Sequence, residues 1–305
     1  MQKDITLLIP TFNRSDLLNK CLESVERQTF NRNIHCIISN NNSPDATDEV
    51  VYKWQRYSSK FNITYIKNEE SLEPIENWIK TLSYIDTEYS KWLQDDDWLE
   101  PNAVETMMRD LNEYNANGLI YNCNIYTKKG KIANYYKPLS KKLVREDVIN
   151  HVLQLAPVFP VSPTASIFKS DYIKKAIEFG KENDICTKKL MGNDLVMNFF
   201  GIFNDLDTYY ISNTLVNFYG GDDSISLVNN PKILSHCYLR SLGLMIDYDS
   251  TTISTKQKEI ISHRYFATKI RGKTSKEFNE ISHVKGFNPK ISFSETLKYI
   301  KKKIS

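Results

Sequence analysis

"ITLLIPTFNRSDLLNKCLESVERQ" (Ile5–Gln28) is the stretch that decides the fold. A short apolar run, "ITLLIP", reads as a strand ended by Pro10. The segment after it places Leu17, Leu18, Cys21, Leu22 and Val25 at helical spacing. The same unit then repeats. "IHCIIS" reads as a second strand. "SPDATDEVVYKWQRY" carries Asp45 and Asp48 early, which suits a helix start. "NITYIK" is a third strand, "PIENWIKTLSYI" a third helix, and "YSKWLQ" a fourth strand. "PNAVETMMRDLNEY" follows, with Pro101 read as a first-turn residue and Val104, Met107, Met108 and Leu111 on one face. Four strand–helix alternations imply a parallel sheet with helices on both faces.

Ligands of such sheets bind beyond the carboxyl ends of the strands. Four polar loops then share one edge: Pro10–Arg14, Ser39–Ser43, Asn68–Pro74 and Asp95–Trp98. The last lies in "KWLQDDDWLEP" (Lys91–Pro101), where three consecutive aspartates stand between an apolar run and a tryptophan. Adjacent carboxylates repel. At a strand end they suit a divalent cation of the Mg²⁺ or Mn²⁺ type, held by one or two carboxylates and the phosphates of a substrate. The plainer reading is a solvated turn whose acids favour the next helix start.

Beyond residue 118 the pattern loosens. "GLIYNCNIYT" and "TASIFKS" read as strands, "REDVINHVLQL" and "KSDYIKKAIEFG" as helices, and "TYYISNTLVNFY" as paired strands. "GNDLVMNFFGI" reads as a helix start capped by Asn193. From Pro231 onward the sequence looks mainly helical.

The bulk numbers exclude several classes. Forty basic against thirty-seven acidic residues give a net charge of +3 over 305 residues, too mild to imply nucleic acid. The five cysteines (Cys21, Cys36, Cys123, Cys186 and Cys237) form no C-x-x-C pair, so a disulfide framework or zinc site is not expected. The histidines His35, His151, His236, His263 and His283 show no metal-ligand spacing and read as structural or solvated. No stretch approaches the ~20 apolar residues of a membrane span, and the N-terminal apolar run is too short for a signal-peptide core. A cytoplasmic protein is expected.

"LLIPTFNR", "IISNNNSPDAT", "YIKNEESLEPIENW" and "WLQDDDWLEP" together resemble the successive signatures of family 2 glycosyltransferases of the GT-A fold. "SPTASIFKSDYIKK", "GNDLVMN" and "LVNFYGGDDSIS" extend the resemblance more weakly, over about residues 4–226. It implies an α/β, GT-A (Rossmann-like), mostly parallel sheet flanked by helices. Residues 1–226 would form the glycosyltransferase domain, with 1–117 the nucleotide-sugar-binding half and 118–226 the acceptor-binding half. Residues 227–305 would be a mainly helical C-terminal extension.

The implied activity moves a sugar from a nucleotide-diphospho-sugar to an acceptor hydroxyl with inversion, in bacterial surface polysaccharide synthesis. The implied cofactor is Mn²⁺ or Mg²⁺. Pro10, Thr11, Phe12, Asn13 and Arg14 match the first nucleotide loop, and Phe12 is suited to stacking on a base. Asn40 stands where the family usually has an aspartate that reads uracil; an amide can still hydrogen-bond the base edge, so Asn40 stays a nucleotide-binding residue and UDP the first donor nucleotide, though the departure puts UDP in question. Aligned on "DWLEP", the family's D-x-D becomes Gln94-Asp95-Asp96, with Asp96 the metal ligand; a shifted register uses Asp95 and Asp97. Asp194 matches the general base; its alternative role is a capping acid. Gly221 holds the place of a histidine that many relatives have; Asp222, Asp223 or water would take over its work, or the glycines would form a mobile loop over the donor. Lys67 and Asn77 flank the third loop.

Two readings of the tail stand. "FSETLKYIKKKIS" is either a basic amphipathic end lying on the inner face of an anionic membrane, where lipid-linked glycan acceptors reside, or a solvated terminus. The sequence leaves two other functions to compare. A non-catalytic glycan-binding or scaffold protein is motivated by the departures at Asn40, Gln94 and Gly221. A nucleotidyltransferase would need a glycine-rich loop after the first strand, and "IPTFNRSD" has no glycine.

Overall fold

The computed structural model describes residues 4–136, 140–154, 159–183, 192–221, 231–246 and 253–272. Four parallel strands come first: β1 (Ile5–Thr11), β2 (Ile34–Asn40), β3 (Phe61–Lys67) and β4 (Tyr89–Trp92). They alternate with α1 (Ser15–Glu26), α2 (Thr47–Tyr57), α3 (Pro74–Lys80) and a 3-10 turn at Thr81–Tyr84. All seven residues of β1 and of β2 are buried, as expected of strands covered on both faces. After the acidic turn come β5 (Trp98–Leu99), α4 (Ala103–Glu113), β6 (Gly118–Thr127), β7 (Gly130–Ile132) and β8 (Lys141–Lys142). Then α5 (Arg145–Val152), a 3-10 turn at Pro163–Ala165, β9 (Ser166–Lys169), α6 (Ser170–Glu182), α7 (Asn193–Phe203) and β10 (Thr208–Gly220) complete the sheet region. Two helices follow, α8 (Pro231–Met245) and α9 (Thr255–Gly272).

The sheet order is β3-β2-β1-β4-β9-β6-β10-β5, with β7 on β6 and β8 on β10. It is mixed. β9 runs antiparallel to both β4 and β6, while β6 and β10 are parallel to each other. The parallel sheet expected from the sequence is therefore confined to β1–β4 and to the β6–β10 pair. Alternation in the strands loads both faces. Ile5, Leu7 and Ile9 pack with α1, α2 and α4, and Leu8 and Ile37 pack on the opposite side with α3 and α5–α9. Leu239, Leu242, Ile253, Ile260 and Ile261 of the C-terminal segment belong to that second core, so the segment is fused to the sheet through shared packing.

Three local expectations are corrected. "TYYISNTLVNFY" is one strand, whose pairing with β6 shifts register between Ile211 and Val216. The polar Ser212-Asn213 pair that reads as a turn sits at this irregularity, where a bulge absorbs it. Pro101 and Asn102 form a turn before α4, which begins at Ala103. The cap of α7 is Gly192, at φ +111°, and Asn193 is the first helical residue. A side chain is strained in that backbone region, so glycine takes the cap.

Candidate active site

The carboxyl ends of β1–β4 place the four polar loops side by side. A buried network of amides ties the first three together. Asn77 accepts from the Ser39 hydroxyl at 2.7 Å and from Asn68 Nδ2 at 2.9 Å, and donates to the Ser39 carbonyl at 3.0 Å. Asn41 accepts from Asn68 Nδ2 and from the Leu72 backbone N–H, and donates to the Leu72 carbonyl. Asp45 accepts from the Ser15 and Thr47 backbone N–H groups, fixing the starts of α1 and α2 with one carboxylate. Asn13 takes the left-handed conformation, φ +54°, and donates its backbone N–H to Ser43. Phe12 is left 48% exposed over this edge, a flat apolar face beside polar loops.

Asn40 is fully buried. Its amide nitrogen donates to Asp48 and to the Tyr65 hydroxyl, and its carbonyl oxygen accepts from the Ser43 backbone N–H. Both donors are committed inside the protein. Lys67 pairs with Asp48 in the same cluster. These contacts hold the shape of the loop after β2.

The acidic turn closes the edge. Arg14 Nη1 lies 2.7 Å from Asp96 and 3.4 Å from Asp95. Burial and the neighbouring Asp96 charge push Asp95 up to about 7, while Arg14, the Thr11 side chain and the Phe12 backbone N–H pull it down. Asp97 is also raised well above the usual carboxylate range by burial and by Asp96. It accepts from the Tyr219 backbone N–H of β10 at 3.0 Å. The Thr164 hydroxyl and the Lys91 ammonium oppose the rise at Asp97.

Lys91 and Thr164 are groups that the sequence reading missed. Lys91 is fully buried under the turn, donates to the Trp92 and Thr164 carbonyls, and is pushed down to about 7 by burial. Thr164 also accepts the Gln94 backbone N–H at 3.1 Å.

The 3-10 turn at Thr164 leads to the second carboxylate. Ser166 donates to Asn198 on α7, and Asn198 donates to the Val161 carbonyl. One turn earlier on α7 lies Asp194, where burial raises the carboxyl to about 6. Its Oδ1 accepts the Leu195 backbone N–H at 3.0 Å, and its Oδ2 accepts the Tyr238 hydroxyl of α8 at 2.6 Å. Gly221, at the histidine position, is buried, and a side chain there would meet the Tyr219 ring at 2.3 Å. Asp222, Asp223 and the basic tail lie outside the described residues.

Among the described residues no group of three or more His, Cys, Asp or Glu side chains forms a closed metal cage. An open site of the Mg²⁺ type needs no cage, only one or two carboxylates with substrate oxygens. The acidic turn fits that demand. Carboxylates raised by burial and mutual repulsion favour an added positive charge. His35 and His151 are structural: His35 meets Asp86 and Thr64, and His151 stacks on Phe159 and is lowered to about 4 by burial.

A mixed sheet with polar loops and a carboxylate turn at one edge defines an α/β protein of the GT-A class. S. aureus TarS has the same fold: its complex with UDP-GlcNAc superposes at a TM-score of 0.63 and 15% identity, over 98% of this chain and 79% of that one. The sequence model described as glycosyl transferase family 2 matches residues 6–176, and the chain belongs to that family. Among curated relatives, the glycosyltransferase GlyA of Streptococcus pneumoniae is 32% identical over 37% of this chain and 16% of its own length. The GalNAc(5)-diNAcBac-PP-undecaprenol beta-1,3-glucosyltransferase of Campylobacter jejuni is 32% identical over 43% of this chain and 41% of its own. The abequosyltransferase RfbV of Salmonella typhimurium is 24% identical over 83% of this chain and 78% of its own length. The chain thus spans less than half of the length of the first two relatives.

Proposed function

We propose that the chain is an inverting glycosyltransferase of bacterial surface polysaccharide synthesis. It moves a sugar from a nucleotide-diphospho-sugar, with UDP the first candidate, to an acceptor hydroxyl. The observation that supports the reading is a buried, elevated carboxylate at Asp194 on α7, the helix that Ser166 ties through Asn198 to the 3-10 turn whose Thr164 accepts from the acidic turn. A carboxylate raised to about 6 is ionised at neutral pH yet basic enough to take a proton.

In the reaction the acceptor oxygen bonds to the anomeric carbon from the face opposite the diphosphate. The bond from that carbon to the diphosphate oxygen breaks, and its electron pair leaves with the nucleoside diphosphate. The acceptor proton passes to Asp194. Phe12 stacks on the base, the loop of Pro10, Thr11 and Asn13 lines the nucleotide, and Asn40 acts by holding the Asn41–Ser43 loop in shape. Asp96 would hold the divalent cation, with Asp95 and Asp97 beside it. When bound, Mn²⁺ or Mg²⁺ neutralises charge on the departing diphosphate. Arg14 offers that diphosphate a second positive group.

The relatives' names support an acceptor among glycans or lipid-linked glycans, one being a transferase on an undecaprenol-linked acceptor. A cytoplasmic place at the inner membrane face follows from that, with the basic tail as the contact. Among the described residues no helix is long and apolar enough to cross a membrane. Flotation with anionic vesicles tests the contact: the full chain floats at low salt and a chain cut at Ser292 does not.

Mixing the purified chain with Mn²⁺ and a panel of nucleotide sugars tests the main reading. One donor raises the melting temperature and is slowly hydrolysed, and Asp96→Ala removes both effects. If no nucleotide shifts the melting temperature and Asp96→Ala changes nothing, the reading is wrong. The internal commitment of the Asn40 donors favours one other reading, a non-catalytic glycan-binding protein. Unchanged glycan output in cells carrying Asp194→Asn would select it.

A further inference from the structure

We infer that Tyr238, on the C-terminal helix α8, is a positioning residue for the base Asp194, so that the acceptor-side catalytic centre is built by two segments far apart in sequence. This rests on the reading of Asp194 given above. The Tyr238 hydroxyl donates to Asp194 Oδ2 at 2.6 Å, 44 positions away along the chain. The other oxygen, Oδ1, accepts the backbone N–H of Leu195 on its own helix. The carboxylate is thus held between α7 and α8, with its plane and rotamer set by both.

The contact between the two helices is specific. At Gly192, the cap of α7, an added Cβ would come 2.5 Å from the Ser241 hydroxyl and 3.1 Å from the Cys237 carbonyl. Cys237, Tyr238 and Ser241 therefore form the α8 surface that seats on the Gly192–Asp194 turn. Arg240 donates to the Asn183 carbonyl at the end of α6 and adds a second tie. A tyrosine that donates to an ionised carboxylate stabilises the charged form and so opposes the rise caused by burial. Among the described residues no charged side chain bears on Asp194. Among the described residues Tyr238 is the titratable side chain that bonds it, and Tyr136 and Cys237 act electrostatically on Tyr238.

The chemistry this implies is a division of labour. Asp194 takes the proton. Tyr238 keeps the carboxylate ionised near neutral pH and aims its free lone pairs. Tyr238→Phe retains the ring and its packing and removes only the hydroxyl.

Two readouts on the full chain test the role. The first is the ¹³C titration of the Asp194 carboxyl carbon, which reads the hydrogen bond without any turnover. The second is the pH profile of transfer with the donor and acceptor that the wild type uses. In Tyr238→Phe the carboxyl titrates at higher pH than in the wild type. Its kcat falls about tenfold at pH 6.5 and the deficit narrows by pH 8.5, with the donor KM unchanged. An unshifted carboxyl titration, or a deficit equal at every pH, overturns the inference. Asp194→Asn separates the two readings. If it stays active, the base assignment fails whatever Tyr238 does. If it is inactive while Tyr238→Phe matches the wild type, the inference alone fails.

Discussion

The two edges of this sheet to which we assign the donor and the acceptor are made in different ways. The donor loops after β1–β4 come from the first third of the chain, and each is fixed by neighbours in adjacent strand–helix units: Asn41 by Leu72, Asn77 by Ser39, Ser15 by Asp45. The edge proposed for the acceptor draws on distant segments: Thr164 and Tyr219 reach the acidic turn, beside a β9 that runs against the direction of β4, and Tyr238 reaches Asp194 because α8 folds back onto α7. Local construction gives the donor side rigidity from short-range repetition. The acceptor side depends on tertiary packing to hold a single carboxylate.

That contrast makes predictions of decreasing size. Asp194→Asn removes the group on which the acceptor side converges. It lowers kcat by about 10²–10⁴ while leaving donor binding intact, as competition with the free nucleotide will show. Loss of donor binding in this variant would break the separation of the two edges. Asp96→Ala strikes the donor edge instead. It lowers transfer by about 10²–10³ and abolishes the cation-dependent thermal shift given by the donor.

Asn77→Ala attacks the amide network. It leaves buried partners at Ser39 and Asn68 unpaired, costs about 1–3 kcal/mol, lowers the melting temperature by a few degrees and raises the donor KM. An effect on kcat alone would show that the network serves the acceptor edge. The smallest effect is on stability against pH. Asp95 is raised to about 7 on folding, so the native state holds more protons than the unfolded state below that pH. Its contribution is complete below the unfolded value near 4 and is lost as pH climbs to about 7. Lys91 is lowered to about 7, so the unfolded chain holds more protons above that pH and stability from this group returns up to about pH 10. In a melting series from pH 4 to 10, Lys91→Met flattens the rise above neutrality and Asp95→Asn flattens the fall below it.

The same contrast explains what the sequence makes legible. Strands β1–β4 and their helices follow from periodicity, because each βαβ unit is locally complete. The acidic turn is visible because three aspartates at a strand end are chemically unusual. The reversal of β9 leaves no such mark, since a four-residue strand, Ser-Ile-Phe-Lys, pairs equally well in either direction. The bulge in β10 disguises one strand as two. Lys91 leaves a mark that could be found: a lysine within the fully buried run Ser90–Leu93 needs polar partners inside the protein. Tyr238 leaves none, because a tyrosine in a helix amid other apolar positions reads as core. Asn40 shows the limit of matching positions. The residue stands in the expected place, but its amide is spent on Asp48, Tyr65 and Ser43.

The seat of α8 on Gly192 has a consequence for engineering. Chimeras that graft another C-terminal segment to change acceptor preference must carry residues 192–194 and 237–241 as one inherited block. A crossover placed between residues 200 and 230 would separate the glycine from the helix it admits. The recombinant chain would keep the loops after β1–β4 complete and lose the seat that shapes Asp194, the proposed base.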